Sequence, residues 1–213
     1  MKIDMNFWEK KFAEKILQVA SADDPAHDFL HFKRVVEMAK KICAEEGGRL
    51  EVVVPAAWLH DLVNVPKDSP LRSQASKLSA VAATEFLKTI NYPTEFHAEI
   101  SHAIEGHSFS ANIVVETLEA KIVQDADRLD GLGAIGIARC FAIAGILKRP
   151  FYADIDPFCN SRAVDDSKYT VDHFYKKLFA TVQTLKTKAG RSEGLTRESV
   201  MKNFLRQLES EIC

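Results

Sequence analysis

Three short runs carry residue types that could do chemistry: PAHDFLHFKRVV (25–36), AAWLHDLVNV (56–65) and IVQDADRLDGLG (122–133). In the middle run His60 and Asp61 stand side by side at the end of an apolar stretch. In the last run Asp125, Asp127, Arg128 and Asp130 crowd into six residues that otherwise read as buried helix. Carboxylates avoid an apolar core unless they are paired or bound to a cation. A divalent ion shared by the three runs would offset that desolvation, and mixed imidazole and carboxylate ligands suit Mn, Fe, Co or Zn. The plain alternative is an interhelical ion-pair network, with Asp127 or Asp130 on Arg128 or Arg34 and His60 on a backbone carbonyl. Spacing alone does not separate the two. His27-Asp28 repeats the dipeptide of His60-Asp61, so the pair by itself is no signature, and a lone histidine on an apolar face is more often a hydrogen-bonded core residue than a ligand.

The elements that must position these groups are helical nearly everywhere. Phe7, Trp8, Phe12, Ile16 and Val19 form an apolar stripe at steps of three and four. Asp24-Pro25 reads as a capping acid followed by proline at the first helical position, opening a helix that stops at Gly47-Gly48. Further helices are expected over about 51–63, 72–90, 94–105, 116–129, 131–147, 170–188 and 195–212, with a proline-, lysine- and serine-rich loop at 64–70 and a long polar loop at 150–168. Only Glu51 to Val54 could be mistaken for a strand. With no repeat, low-complexity tract or linker, the expectation is an all-α chain forming a single domain over 1–213.

Bulk properties narrow the partners. With 28 basic and 30 acidic residues the net charge is −2, so no global field draws the chain to a nucleic-acid polymer or a membrane. Four scattered cysteines without a CxxC pair offer neither a zinc finger nor a disulfide framework, and fit a reducing cytosol. The opening MKIDMNFWEKK lacks the apolar stretch of a secretory signal. The least polar tract, Gly131 to Leu147, is interrupted by Arg139 and falls short of the roughly 18–20 residues a membrane span needs. The expected setting is the cytoplasm. Apolar surface on the first or last helix could support a homodimer.

Taken in order, His31-x-x-Arg-Val, Ala57-x-Leu-His60-Asp61 and Asp125-Ala-Asp127-Arg-Leu-Asp130 resemble the HD-domain superfamily of metal-dependent phosphohydrolases, most of all its small stand-alone bacterial members. GHSFS (106–110), GAIGIAR (133–139) and YTVDHF (169–174) extend the likeness over most of the chain. The resemblance implies an HD-type helical bundle, with a metal-binding core over about 25–147 and C-terminal helices over about 170–212 packing on it. It also implies a metal held by His31, His60, Asp61 and Asp127, the ADRL tetrapeptide favouring Asp127 over Asp125 or Asp130. The ion would be Mn, Mg, Co, Zn, Ni or Fe. Adjacent helical residues diverge by about 100°, so His60 and Asp61 can share one ion only if it lies off the helix flank and Asp61 swings inward.

Some members of the superfamily add two histidines and a second metal, and His102 and His107 are the matching candidates. The spacing of five among His97, His102 and His107 keeps all three off one face. Gly106 is expected to end the helix and free His107 to turn back, while His97 reads as a surface residue and His173 as structural. A divalent ion leaves open positions for water and a substrate oxygen, lowers the water pKa toward about 7 and polarises a phosphoryl group. Asp61, His107 and Asp130 are the candidates for catalytic roles beside it. Phosphate needs cations, and His27, Arg34, Lys67, Arg72, Lys77 and Arg128 are the candidate substrate contacts, with Ser73 and Ser76 as hydroxyl donors. Each cation could equally be a solvated charge or a helix-end ion pair. The function this implies is hydrolysis of a small phosphorylated substrate, a nucleotide, by a pyrophosphohydrolase or phosphatase. A di-iron oxygenase and a non-catalytic nucleotide-binding sensor are the alternatives.

Overall fold

The computed structural model describes residues 3–19, 28–65, 69–108 and 113–212, and every regular element among them is helical. In chain order these are α1 (Met5–Val19), α2 (Phe29–Glu46), α3 (Leu50–Leu59), α4 (Ala75–Thr89), α5 (His97–His107), α6 (Leu118–Asp130), α7 (Gly133–Ile146), a π-helical turn Phe174–Leu178 running into α8 (Phe179–Val182), and α9 (Lys188–Ile212). Single 3-10 turns lead into α4 and α5. The chain forms two compact units, Met1–Asp127 with Lys186–Ala189, and Arg128–Leu185 with Gly190–Cys213. The first unit therefore ends inside α6 and takes a short strap from far along the sequence.

In the first unit α3 is the central rod, packed by α1, α2, α4 and α5. Every residue from Val52 to Leu59 is buried. Three consecutive valines are poor helix formers, so this burial, not propensity, makes the segment helical. Pro55 lies inside it and cannot donate the amide bond that the Glu51 carbonyl would accept. The Tyr92 hydroxyl donates to that carbonyl instead, at 2.7 Å. Tyr92 is itself 1% exposed and meets Trp8 and Phe12 edge-on, which ties α1 to the same repair.

The Asp24-Pro25 start signal lies outside the described residues. The described helix α2 begins at Phe29, with Asp28 as N-cap accepting from the His31 amide at 2.8 Å. Asp28 of the first His-Asp pair thus acts as a helix cap. At the far end Gly47 takes φ 79°, and the Gly47 and Gly48 amides both donate to the Cys43 carbonyl. Arg49, at the N-cap of α3, pairs with Glu99 of α5 and Glu119 of α6, so three site-bearing helices are pinned at one corner.

Three expectations in the first unit need correcting. The third helix stops at Leu59, not near Val63, and His60-Asp61 lie in the turn beyond it. Gly106 does not end α5; its role is close approach, since a Cβ there would sit 2.5 Å from Val115 Cγ1. His97 is buried, with Nε2 2.9 Å from the Tyr92 carbonyl, because the 3-10 turn before α5 rotates it inward.

The last helix, α9, begins at Lys188 rather than 195 and runs 25 residues through Gly190 and Gly194. Gly194 is where Leu185 packs, a Cβ there lying 2.3 Å from Leu185 Cδ1. The 150–168 stretch is a loop, as expected, organised by Arg162 and the buried Asp172.

Candidate metal centre

Four elements deliver five ligand-type side chains to one place in the first unit. His31 comes from the capped first turn of α2, His60 and Asp61 from the turn after α3, His107 from the last residue of α5, and Asp127 from α6. His31, His60 and Asp127 form one triad of convergent donor atoms, and His60, Asp61 and His107 another, each within 4.8 Å. His31 Nε2 lies 3.3 Å from His60 Nε2, and Asp127 Oδ1 lies 3.7 Å from each. Asp61 Oδ2 is 3.7 Å from His60 Nε2, while its other oxygen, Oδ1, is 3.3 Å from His107 Nε2.

These separations test the metal reading. Ligands about 2.1 Å from an ion, at angles between 90° and the tetrahedral value, stand about 3.0–3.4 Å apart. The edges of the cluster lie near that range, and at 3.7 Å three of them are too long for hydrogen bonds. The second shell agrees. His60 Nδ1 donates to the Ala57 carbonyl at 2.9 Å, which leaves Nε2 bare and aimed into the cluster. His107 Nδ1 does the same to Ile104, at 2.6 Å. Both carbonyls belong to the last turn of a helix, where they have no helical donor. The donor chemistry fits a divalent ion: His31, His60 and Asp127 converge in one triad, and Asp61 approaches it through His60 Nε2.

Burial sets the electrostatics. It is the main force holding His60 down to about 4, against the raising effect of Asp61 and Asp127, so its Nε2 is unprotonated at neutral pH. Burial would also lower His107, but the bond to Asp61 and the charges of Asp61 and Asp127 outweigh it and push it up to about 9.

The turn after α3 has its own brace. Ser79 of α4, fully buried, accepts from the Val63 amide at 3.1 Å, and Arg72 Nη1 donates to the Val65 carbonyl at 2.7 Å. Arg72 and Ser79 are seven residues apart and share a helix face with Ser76, so this face of α4 and its leading turn clasps the chain just past Asp61. Nothing in the sequence marked Ser79. The two histidine-orienting carbonyls had one signal, a histidine three residues past a carbonyl at a helix end.

The remaining candidates scatter. His102 accepts from the Glu116 amide at 3.3 Å and is in neither triad. Asp130 is buried against Arg139 at 2.9 Å, and Arg128 Nη1 donates to the Thr184 carbonyl at 3.0 Å, both within the second unit. Arg34 is half-buried one turn along α2 from His31, and Lys77 is exposed on α4. Asp125 is fully buried and holds the strap at Lys186 and Thr187. His173 pairs with Asp166 at 2.9 Å. His27 and Lys67 lie outside the described residues.

The HD-domain family model matches residues 29–132, the span that contains all five clustered side chains. The chain belongs to the HD-domain superfamily. Protein YpgQ of Bacillus subtilis (strain 168) is 32% identical over 212 residues, covering 96% of this chain and 95% of YpgQ. The crystal structure of YpgQ in complex with ADP is similar with a TM-score of 0.73 at 30% identity, over 96% of this chain and 97% of that one. An HD-superfamily hydrolase from Bacillus thuringiensis is similar with a TM-score of 0.75 at 30% identity, over 97% of each chain. Among the described residues no single helix is long and apolar enough to cross a membrane.

Proposed function

We propose that this protein is a metal-dependent phosphohydrolase that cleaves a small nucleotide, a nucleoside triphosphate, at a phosphoanhydride bond. The observation that carries the reading is the division of Asp61, one oxygen facing the His31–His60–Asp127 cluster and the other facing His107. A divalent ion there supplies a Lewis acid and a water of lowered pKa. His31, His60, Asp61 and Asp127 hold it. His107, backed by Ile104 and pointing at Asp61, is placed to hold and give up a proton beside the reacting phosphate. The choice of a nucleotide draws on the ADP bound to YpgQ, and the choice of a small one on a net charge of −2, too little to hold a polymer. Arg34, Arg72 and Lys77 are the proposed phosphate contacts.

The test is a turnover screen of the protein loaded in turn with Mn, Mg, Co and Zn, against nucleoside tri-, di- and monophosphates and generic phosphoesters. Pyrophosphate and orthophosphate release are measured separately. Turnover of a triphosphate that is lost in Asp61→Ala supports the reading. No turnover with any metal sinks it, and nucleotide binding that survives Asp61→Ala without turnover would favour a sensor. The di-iron alternative would need His102 as a ligand, and its engagement with the Glu116 amide does not favour that.

A further inference from the structure

Two residues before the ligand Asp127, on the same helix, stands a carboxylate that the proposed chemistry does not use. Asp125 is 0% exposed. Its Oδ1 accepts from the Lys186 amide at 2.8 Å, and its Oδ2 accepts from the Thr187 amide at 2.7 Å and the Thr187 hydroxyl at 2.8 Å. The Lys186 amide also reaches Oδ2, at 3.0 Å. Beside them the Ala189 amide donates to Glu46 Oε1 at 2.6 Å. Two carboxylates of the first unit thus take the amides at the start of α9, where a helix N-terminus attracts negative charge.

We infer that Asp125 is a positioning residue for the metal centre, clamping the Lys186–Thr187 strap to α6 and so fixing the helical turn from which Asp127 reaches the ion. The inference rests on the metal reading proposed above. The geometry behind it is direct. Asp125 and Asp127 lie on opposite flanks of one turn, about 200° apart. The flank with Asp127 faces two histidines, and the opposite flank is held by charge-assisted bonds to backbone amides that cannot rotate away. A small rotation of this turn would carry Asp127 Oδ1 off its equal 3.7 Å separation from His31 and His60. Orientation of a ligand by an outer partner is typically worth 10–100-fold in metal affinity. Thr187 supplies both an amide and a hydroxyl, so the clamp can be weakened from the strap as well as from α6.

The experiment is calorimetric titration of the full-length, metal-stripped protein with Mn2+, alongside thermal melting without metal. Asp125→Asn keeps the shape but turns an amide NH2 toward backbone N–H groups; the expected result is about tenfold or greater loss of Mn2+ affinity in the folded protein. Thr187→Val removes only the hydroxyl bond and is expected to weaken Mn2+ binding several-fold, with Thr187→Ser restoring it. If Asp125→Asn does not fold, the Val and Ser pair decides. Variants that melt earlier yet bind Mn2+ as tightly as the parent would overturn the inference and leave the metal centre standing. A parent protein that binds no Mn2+ would overturn both.

Discussion

His60 donates its Nδ1 proton to the carbonyl of Ala57, one turn back along α3, and so has a single lone pair to offer, on Nε2. The contacts of His60 with His31, Asp127 and Asp61, members of both triads, all run to that same atom. One nitrogen lone pair serves one ion, so the triads cannot be filled together. The expected content is one divalent ion per chain after loading and dialysis, measured by elemental analysis. His60→Gln should cost more affinity than the 10–100-fold typical of an outer partner. Two ions per chain would contradict this arrangement and return His107 to the ligand set.

Asp61 gives His107 its own oxygen, 3.3 Å away, distinct from the one facing His60. On the function proposed above, a residue in that position would handle protons rather than the ion. His107→Gln is therefore expected to lower kcat by about 10²–10⁴, the usual share of a positioned acid or base, with a much smaller change in metal affinity. Steady-state kinetics paired with metal titration reads both. Equal losses in the two would make His107 a ligand.

How much of this was legible in the sequence depends on the kind of interaction. Helices whose apolar positions recur at steps of three and four, such as α1 and α2, follow from a local pattern, and so does the all-α class. His31, His60-Asp61 and the Asp125–Asp130 cluster were legible as candidates because carboxylates in apolar runs ask for a partner, but the choice of Asp127 among them came from the resemblance to the HD-domain superfamily. The exact end of α3 was not. It depends on Ser79 taking the Val63 amide, a tertiary contact, just as the start of α3 depends on Tyr92, 41 positions from Glu51, restoring what Pro55 removes. Gly106 reads locally as a break and Gly194 falls between two expected helices, yet each exists for a neighbour, Val115 or Leu185, that only the folded chain brings near. His97 and His102 show the same limit, since their carbonyl and amide partners lie in adjoining irregular segments.

The glycines of the second unit differ in a way that stability measurements can resolve. A Cβ at Gly136 would fall 2.2 Å from the Gly131 carbonyl oxygen, while one at Gly194 would meet the end of the Leu185 side chain at 2.3 Å. Backbone cannot step aside as a terminal methyl can. Gly136→Ala is expected to exceed the roughly 1–3 kcal/mol usual for overpacking. Gly194→Ala should stay at or below its lower end, since alanine's helix propensity returns about 1 kcal/mol. Denaturant midpoints of the two variants check the order, and a reversed order would mean that α7 can shift at its start more easily than Leu185 can change rotamer.

Acid stability should report on Asp172. Its side chain is wholly buried and accepts two 2.6 Å bonds from the Arg162 guanidinium and one from the Asp165 amide. Burial by itself would raise the carboxyl, but Arg162 and the amide overcome it and hold Asp172 below its ordinary value. A carboxylate depressed on folding stabilises fully above its unfolded value of about 3.9, and that contribution disappears as pH falls through the lower folded value. The parent is expected to keep this part of its stability from neutral pH down to about 4 and to lose it below. Asp172→Asn should be less stable at neutral pH, toward the lower end of the roughly 3–5 kcal/mol for breaking a buried pair, because Arg162 keeps some solvent contact. It should also show a shallower decline below pH 4. Melting temperatures of both proteins between pH 7 and pH 3 test this, and parallel curves would mean that other carboxylates govern acid unfolding.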